Sequence, residues 1–292
     1  MNSVILSDLK YIDCHSHPHD EKYRREAVDV DDVLMKLKDD GGATIAIGTD
    51  FALSVEALEL AQKHENVWCT IGVHPADNHA ENFDERFEKL YLENKEKVVG
   101  VGECGLDYYY FEKTFGKDWK ENVDCKKEIE RQKVLFKQQI DFALKYDLPL
   151  VIHGRPSKNS MDAYRDVLDI LESYPSTSSG PSAGLRGHAH FFVGNLEIAK
   201  RFLDLGFLMS FDGPITFTKE YDEVVKFLPI ENIMIETDSP YAAPTPYRGQ
   251  TNYPIYVKEV AKKIAELKNI PVGEVLEITK NNAIKLFGLC LE

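Results

Sequence analysis

Residues 98–103 read Val98-Val99-Gly100-Val101-Gly102-Glu103, and residues 150–153 read Leu150-Val151-Ile152-His153. Each is a short apolar run that stops on a side chain able to bind a metal or move a proton. Between them, apolar residues recur at three- and four-residue steps, as in Ile129, Val134, Phe136, Ile140, Phe142 and Ala143. That is the period of an amphipathic helix. Run, helix, run is the unit that joins two parallel strands through a crossover.

The unit repeats in both directions. Strand-like runs fall at 11–14, 43–48, 67–73, 98–103, 150–153, 185–192, 207–210 and 233–236. Helix-period segments lie between them at 33–39, 53–63, 83–94, 128–146, 161–174, 196–205 and 221–228. Short strands buried on both faces imply a parallel sheet with right-handed crossovers. Eight such units predict an α/β fold of the (β/α)8 TIM-barrel class. An open doubly wound sheet is the rival, but no G-x-G-x-x-G follows the first run. Extra C-terminal helices are predicted at 254–268 and 273–287, with Pro271 between them and Gly288 as a cap. Residues 108–124 read as a long loop, 175–184 as a flexible surface connection, and 238–254 as a Pro- and Tyr-rich segment. With no internal repeat, residues 1–292 are expected to form a single domain.

Composition narrows the function classes. The chain is 43% hydrophobic and 29% charged, as in a soluble globular protein. It has no apolar run long enough for a membrane span, and its first residues lack the basic start and apolar core of a signal peptide. Cys14, Cys69, Cys104, Cys125 and Cys290 show no C-x-x-C spacing, and read as free thiols of a reducing cytoplasmic compartment. A net charge of −14 argues against a passive nucleic-acid binder. It does not argue against an enzyme acting on phosphates, because bound cations reverse the local field. No membrane and no obligate protein partner is indicated, and a monomer is expected.

Barrel enzymes work at the C-terminal ends of their strands. The first run ends in His15 and His17, whose period-2 spacing turns both to one side of a strand. The fourth ends in Glu103, the fifth in His153, the sixth contains His188 and His190, and the eighth ends in Glu236-Thr237-Asp238. Singly, each has a bland explanation: a loop cap, a core histidine, or a turn before Pro240. Their placement on five separate strand ends points instead to a metal site of nitrogen and oxygen ligands, suited to Zn²⁺, Mn²⁺, Co²⁺ or Mg²⁺. Six ligands exceed what one tetrahedral ion needs, so two divalent metal ions are expected.

The chain resembles the TatD-type metal-dependent deoxyribonucleases, relatives of the amidohydrolase barrels. The matching stretches are Ile12-Asp13-Cys14-His15-Ser16-His17, Gly72-Val73-His74-Pro75 and Gly102-Glu103-Cys104-Gly105-Leu106-Asp107-Tyr108. They continue with Pro149 to Arg155, Glu236-Thr237-Asp238-Ser239-Pro240-Tyr241 and Ala243 to Gly249. The resemblance implies that His15, His17 and Asp238 hold one ion, that His153 and His190 hold the other, and that Glu103 bridges them. It favours His190 over His188 through a His-x-Phe-x-Gly pattern, although His188 shares its strand face. The chain departs from the family in carrying Phe191 and Val193 where small residues are common.

The expected chemistry is phosphodiester hydrolysis of DNA, from the 3′ end of single-stranded or frayed substrate, by a metal-activated water. Asp238 and Glu103 are the expected catalytic residues, with Asp238 as general base. Arg155, Arg248 and His74 are expected to contact phosphate oxygens. Tyr108, with Tyr109, Tyr110 and Phe111, either stacks unpaired bases or forms an aromatic lid. The alternative is a two-metal hydrolase of an amide, lactone or aminoacyl ester, since the same centre attacks carbonyl carbon. A non-catalytic metal-binding scaffold is a third reading.

Overall fold

The computed structural model describes residues 9–76, 81–174 and 184–289. Eight strands alternate with helices: β1 Tyr11–Ser16, β2 Gly42–Ile47, β3 Val67–Ile71, β4 Val98–Asp107, β5 Leu150–Arg155, β6 Gly187–Ala189, β7 Leu208–Phe211 and β8 Ile233–Ile235. The helices are α1 Glu21–Arg25, α2 Val30–Asp39, α3 Phe51–Lys63, α4 Glu85–Glu93, α5 Phe111–Phe115 and α6 Val123–Tyr146. They continue with α7 Asp162–Ser173, α8 Leu196–Asp204, α9 Asp222–Phe227, α10 Val257–Lys268 and α11 Val272–Phe287. The strands pair in parallel in the order β1 to β8, a nearly closed (β/α)8 barrel.

Helix starts follow local chemistry. Asp20, Asp29, Asp50, Asp84, Asn122 and Asn195 each turn a side-chain oxygen onto a backbone N–H of the first turn. Those caps satisfy donors that the helix itself leaves unpaired. Asn122 explains why α6 starts at Val123, ahead of the apolar periodicity that begins near residue 128. The segment expected as a loop at 108–124 also holds α5. Of the connection at 175–184, only Gly184 falls among the described residues.

Two apolar layers flank the sheet. One lies between strands and helices, where α7 buries Ala163, Tyr164, Val167, Leu168, Ile170 and Leu171. The other fills the barrel with Ile12, Cys14, Ile45, Val99, Val151 and Met234, and meets Leu286 and Phe287 of α11. The last helix therefore plugs the bottom of the barrel and leaves the C-terminal ends of the strands open for chemistry. Cys14, Cys69, Cys104 and Cys125 are buried free thiols, and among the described residues no helix is long and apolar enough to cross a membrane.

Strand lengths differ from the apolar runs where chemistry intrudes. β4 passes through Glu103 and continues to Asp107, so Glu103 sits within a strand and not at its end. The continuation depends on Gly105 (φ +140°), where an added Cβ would lie 2.0 Å from the carbonyl oxygen of His153. Only glycine lets β4 approach β5 that closely. β6 is shorter than its run, three residues in place of 185–192, because the chain turns at His190.

The barrel closes through the residues of the candidate site. β1 and β8 are joined by a bridge between Ser16 and Ser239, by His17 N–H to Ser239 O at 2.7 Å and by Asp238 N–H to His15 O at 3.0 Å. Below that seam, Asp13 accepts from Thr237 N–H at 2.9 Å and from Thr237 Oγ1 at 2.7 Å. Asp13→Ala should leave both buried donors unpaired and lower stability by roughly 2 kcal/mol or more. A denaturant midpoint unchanged from the parent would reject this account of the seam.

Candidate metal centre

Glu103 is the hub. Its carboxylate is buried and faces five histidines from four strands or strand ends. Oε1 lies 2.6 Å from His153 Nδ1 and 2.8 Å from His190 Nε2. Oε2 lies 3.5 Å from His15 Nε2 and 3.9 Å from His17 Nε2. Asp238 Oδ1 completes the second set, 3.6 Å from His15 Nε2 and 3.4 Å from His17 Nε2. The two sets could each hold a metal ion: His15, His17 and Asp238 on one side, Glu103, His153 and His190 on the other.

The outward nitrogens decide what the inward ones can do. His17 Nδ1 donates to Ile47 O at 3.2 Å, His153 Nε2 to Asp107 Oδ2 at 3.1 Å and His190 Nδ1 to Glu236 Oε1 at 3.3 Å. A neutral imidazole has one N–H, so in each ring the remaining nitrogen is a lone pair. All three lone pairs point at carboxylate oxygens, which are acceptors as well. Acceptor against acceptor is repulsive unless a cation lies between them. This donor set fits divalent ions, which would fill the gap with positive charge.

Protons are the competing cations, and the pKa directions report them. Burial opposes charge on His153, but hydrogen bonds to Asp107 and Glu103 outweigh it and push its pKa up to about 9. His190 is pushed well above its ordinary range, burial being overcome by the Glu103 and Glu236 charges. His17 rises too, with Asp238 outweighing burial. Glu103 is held well below the usual carboxylate range because the His190 charge and three imidazole hydrogen bonds outweigh its burial. His15 moves the other way, lowered by burial and by His190, whose ring stacks on it at 3.8 Å.

The remaining expected site residues divide. His74 Nε2 lies 3.3 Å from His153 Nδ1 and 3.7 Å from Glu103 Oε1, at the centre itself. Arg155 ends β5 and lies over the rings of Tyr109 (4.0 Å) and Tyr110 (5.2 Å). Arg248 lies over Phe217 at 4.1 Å. Tyr108 is a correction: its ring is 2% exposed and its hydroxyl donates to Asp166 Oδ2 at 2.8 Å. It packs with Phe111 at 5.0 Å as part of a buried aromatic layer, while Tyr109 and Tyr110 are 45% and 50% exposed. His188 does not join Glu103; its ring is directed at Cys14, Glu236 and Phe287.

Three buried carboxylates carry positioning roles that strand-end reasoning did not assign: Asp13, Asp107 and Glu236. Glu236 does most. Oε1 accepts from His190 Nδ1 and, at 2.6 Å, from Phe191 N–H. Oε2 accepts from Ser210 Oγ at 2.6 Å. Phe191 has φ +45° and Asp238 φ +51°, left-handed backbone beside two candidate ligands. Such conformations cost about 1–3 kcal/mol each and persist where surrounding bonds over-determine them. A signal was present in the sequence: Asp13 and Glu236 each stand two residues before a candidate ligand.

Known proteins place the chain. The model of TatD related DNases matches residues 12–288. A Bacillus subtilis (strain 168) protein named an uncharacterized metal-dependent hydrolase, YabD, is 35% identical over 280 residues, covering 95% of this chain and 98% of that protein. The Escherichia coli (strain K12) protein of the same description, YcfH, is 33% identical over 95% of this chain and 96% of its own length. Among solved structures, the TatD homologue YJJV of Escherichia coli K12 matches with a TM-score of 0.78 at 25% identity, covering 96% of this chain and 99% of that one. A TatD family hydrolase from Entamoeba histolytica shares the fold at a TM-score of 0.75 and 21% identity, over 97% and 99% of the two chains. With the family model spanning the barrel from its first strand to its last helix, this chain belongs to the TatD family of metal-dependent hydrolases.

Proposed function

We propose that the chain is a deoxyribonuclease that hydrolyses phosphodiester bonds from the 3′ end of single-stranded or frayed DNA. The observation that carries the reading is the division of Glu103: one oxygen faces His153 and His190, the other His15 and His17, with Asp238 opposite. His15, His17 and Asp238 would hold one divalent ion and His153 and His190 a second, with Glu103 shared. Bound there, the ions would acidify a water and offset charge on the phosphate oxygens.

The protein's own groups supply the rest. The Asp238 side chain, 16% exposed, is the most open to solvent of the six candidate ligands. It takes the proton from the attacking water as general base. Ile47 O, Asp107 and Glu236 keep His17, His153 and His190 in the tautomers that bind cations. Arg155, braced on Tyr109, and Arg248, braced on Phe217, present guanidinium edges to phosphate oxygens. Tyr109 and Tyr110 offer exposed faces for unpaired bases, a contact worth about 1–3 kcal/mol per base.

Purified protein should degrade labelled single-stranded DNA with Mg²⁺ or Mn²⁺ and lose that activity after chelation. Asp238→Asn should cost about a hundredfold or more in turnover while leaving cations bound. No metal-dependent cleavage of either strand state, with turnover of an amide, lactone or aminoacyl ester panel, would replace the nuclease reading with carbonyl hydrolysis.

Metal binding should release protons. His153, raised to about 9, carries a proton at neutral pH that an ion must displace. The apparent affinity should therefore rise with pH between 7 and about 9 as His153 loses that proton. Calorimetry in buffers of different ionisation enthalpy measures the release; a pH-independent affinity from 7 upward would contradict it.

A further inference from the structure

Below Glu103, towards the plug made by α11, lies a second cluster that the proposed reaction does not use directly. Cys14, His188 and Glu236 are each 0% exposed. Each offers one ligand atom, and these atoms lie within 4.8 Å of one another. Cys14 Sγ is 3.8 Å from Glu236 Oε2. Sulfur at about 2.3 Å and oxygen at about 2.0 Å from one tetrahedral ion would stand about 3.5 Å apart. The pair is already close to that spacing.

His188 supplies the independent observation. Neither of its ring nitrogens has a hydrogen-bond partner, although the ring is completely enclosed. Its aromatic neighbour, Phe287, meets it edge-to-face at 5.8 Å and has no polar atom to offer. An unpaired buried donor or acceptor costs about 1–3 kcal/mol, so native interiors rarely keep one without a ligand, water or ion. An ion bound between the three residues would satisfy one nitrogen outright.

Charge favours a divalent cation over other occupants. Thiolate and carboxylate together carry two negative charges, and a divalent ion makes the cluster neutral, the cheapest state in a closed interior. On binding, the Cys14 thiol proton leaves to solvent and a sulfur lone pair bonds the metal. Glu236 Oε2 keeps its bond from Ser210 Oγ through its other lone pair. We propose that Cys14, His188 and Glu236 form a metal site of their own, selective for Zn²⁺. A soft thiolate beside an imidazole and a carboxylate prefers Zn²⁺ to Mg²⁺ or Mn²⁺. The centre around Glu103, with nitrogen and oxygen ligands alone, lacks that preference. Glu236 links the two, because its other oxygen orients His190.

Cobalt substitution tests the site without reference to turnover. Full-length protein, purified metal-free and titrated with Co²⁺, should develop a near-ultraviolet sulfur-to-cobalt charge-transfer band that saturates at one equivalent. Cys14→Ser should lose the band and one equivalent of bound metal. His188→Val should lose the same equivalent, whereas Cys104→Ser keeps both. Circular dichroism establishes that each variant is folded; if Cys14→Ser is not, the parent spectrum alone decides. Parent protein without the band, a band that survives Cys14→Ser, or His188→Val with full metal content would each overturn the proposal, leaving water as the occupant. A protein with the band but no nuclease activity would refute only the proposed function.

Discussion

The centre rests on an arrangement that is unfavourable by itself: imidazole lone pairs turned onto carboxylate oxygens. It arises because three of the four rings have their N–H engaged elsewhere, His17 on Ile47 O, His153 on Asp107 and His190 on Glu236. Those outer partners fix tautomer and orientation together. The repulsion left at Glu103 is what a cation relieves, and in its absence protons take the cation's place, as the raised His153 and His190 pKa values record. Metal affinity is thus built from hydrogen bonds that touch no metal.

Fold closure and site assembly are the same event. The seam between β1 and β8 is made by backbone groups of His15, His17, Asp238 and Ser239. Asp13 ties the strands together just below through Thr237. A barrel that failed to close would lack one complete ligand set, and a disturbed ligand turn would loosen the barrel. The left-handed backbone at Phe191 and Asp238 fits that picture. Glu236 holds the first through its N–H and the His15 carbonyl holds the second. The conformational cost falls where it aims His190 and Asp238.

The eight strands were legible because strands buried on both faces are apolar without interruption, and the helices because they bury one stripe. Legibility fell off where side chains cap or where strands outrun their apolar residues. Asn122 moves the start of α6 ahead of its periodic region. β4 carries polar Glu103 and Asp107 into the sheet interior, which no hydrophobic count anticipates. Three consecutive tyrosines cannot be sorted by pattern: Tyr108 faces the core and Tyr109 and Tyr110 face solvent because β4 ends at Asp107. The candidate ligands were readable as strand-end residues. Their partner Asp107 was not, since its pairing depends on stagger. Gly105 sits opposite His153, and that register brings Asp107 to the ring.

A chain of net charge −14 is an awkward reader of a polyanion. The centre's own carboxylates, Glu103, Asp238 and Asp107, would offset most of the charge that two bound divalent ions bring. Attraction for phosphate then falls to the rim, where Arg155 and Arg248 each lie on an aromatic ring from a different loop. Two arginines at the mouth, in a chain of net charge −14, give long duplex little to bind, because non-specific affinity grows with the number of phosphates neutralised. A strand end can enter the mouth and meet both arginines while the rest of the polymer stays in solvent. For the proposed reaction, charge distribution therefore favours ends over interior sites, and short contacts over tight retention of product.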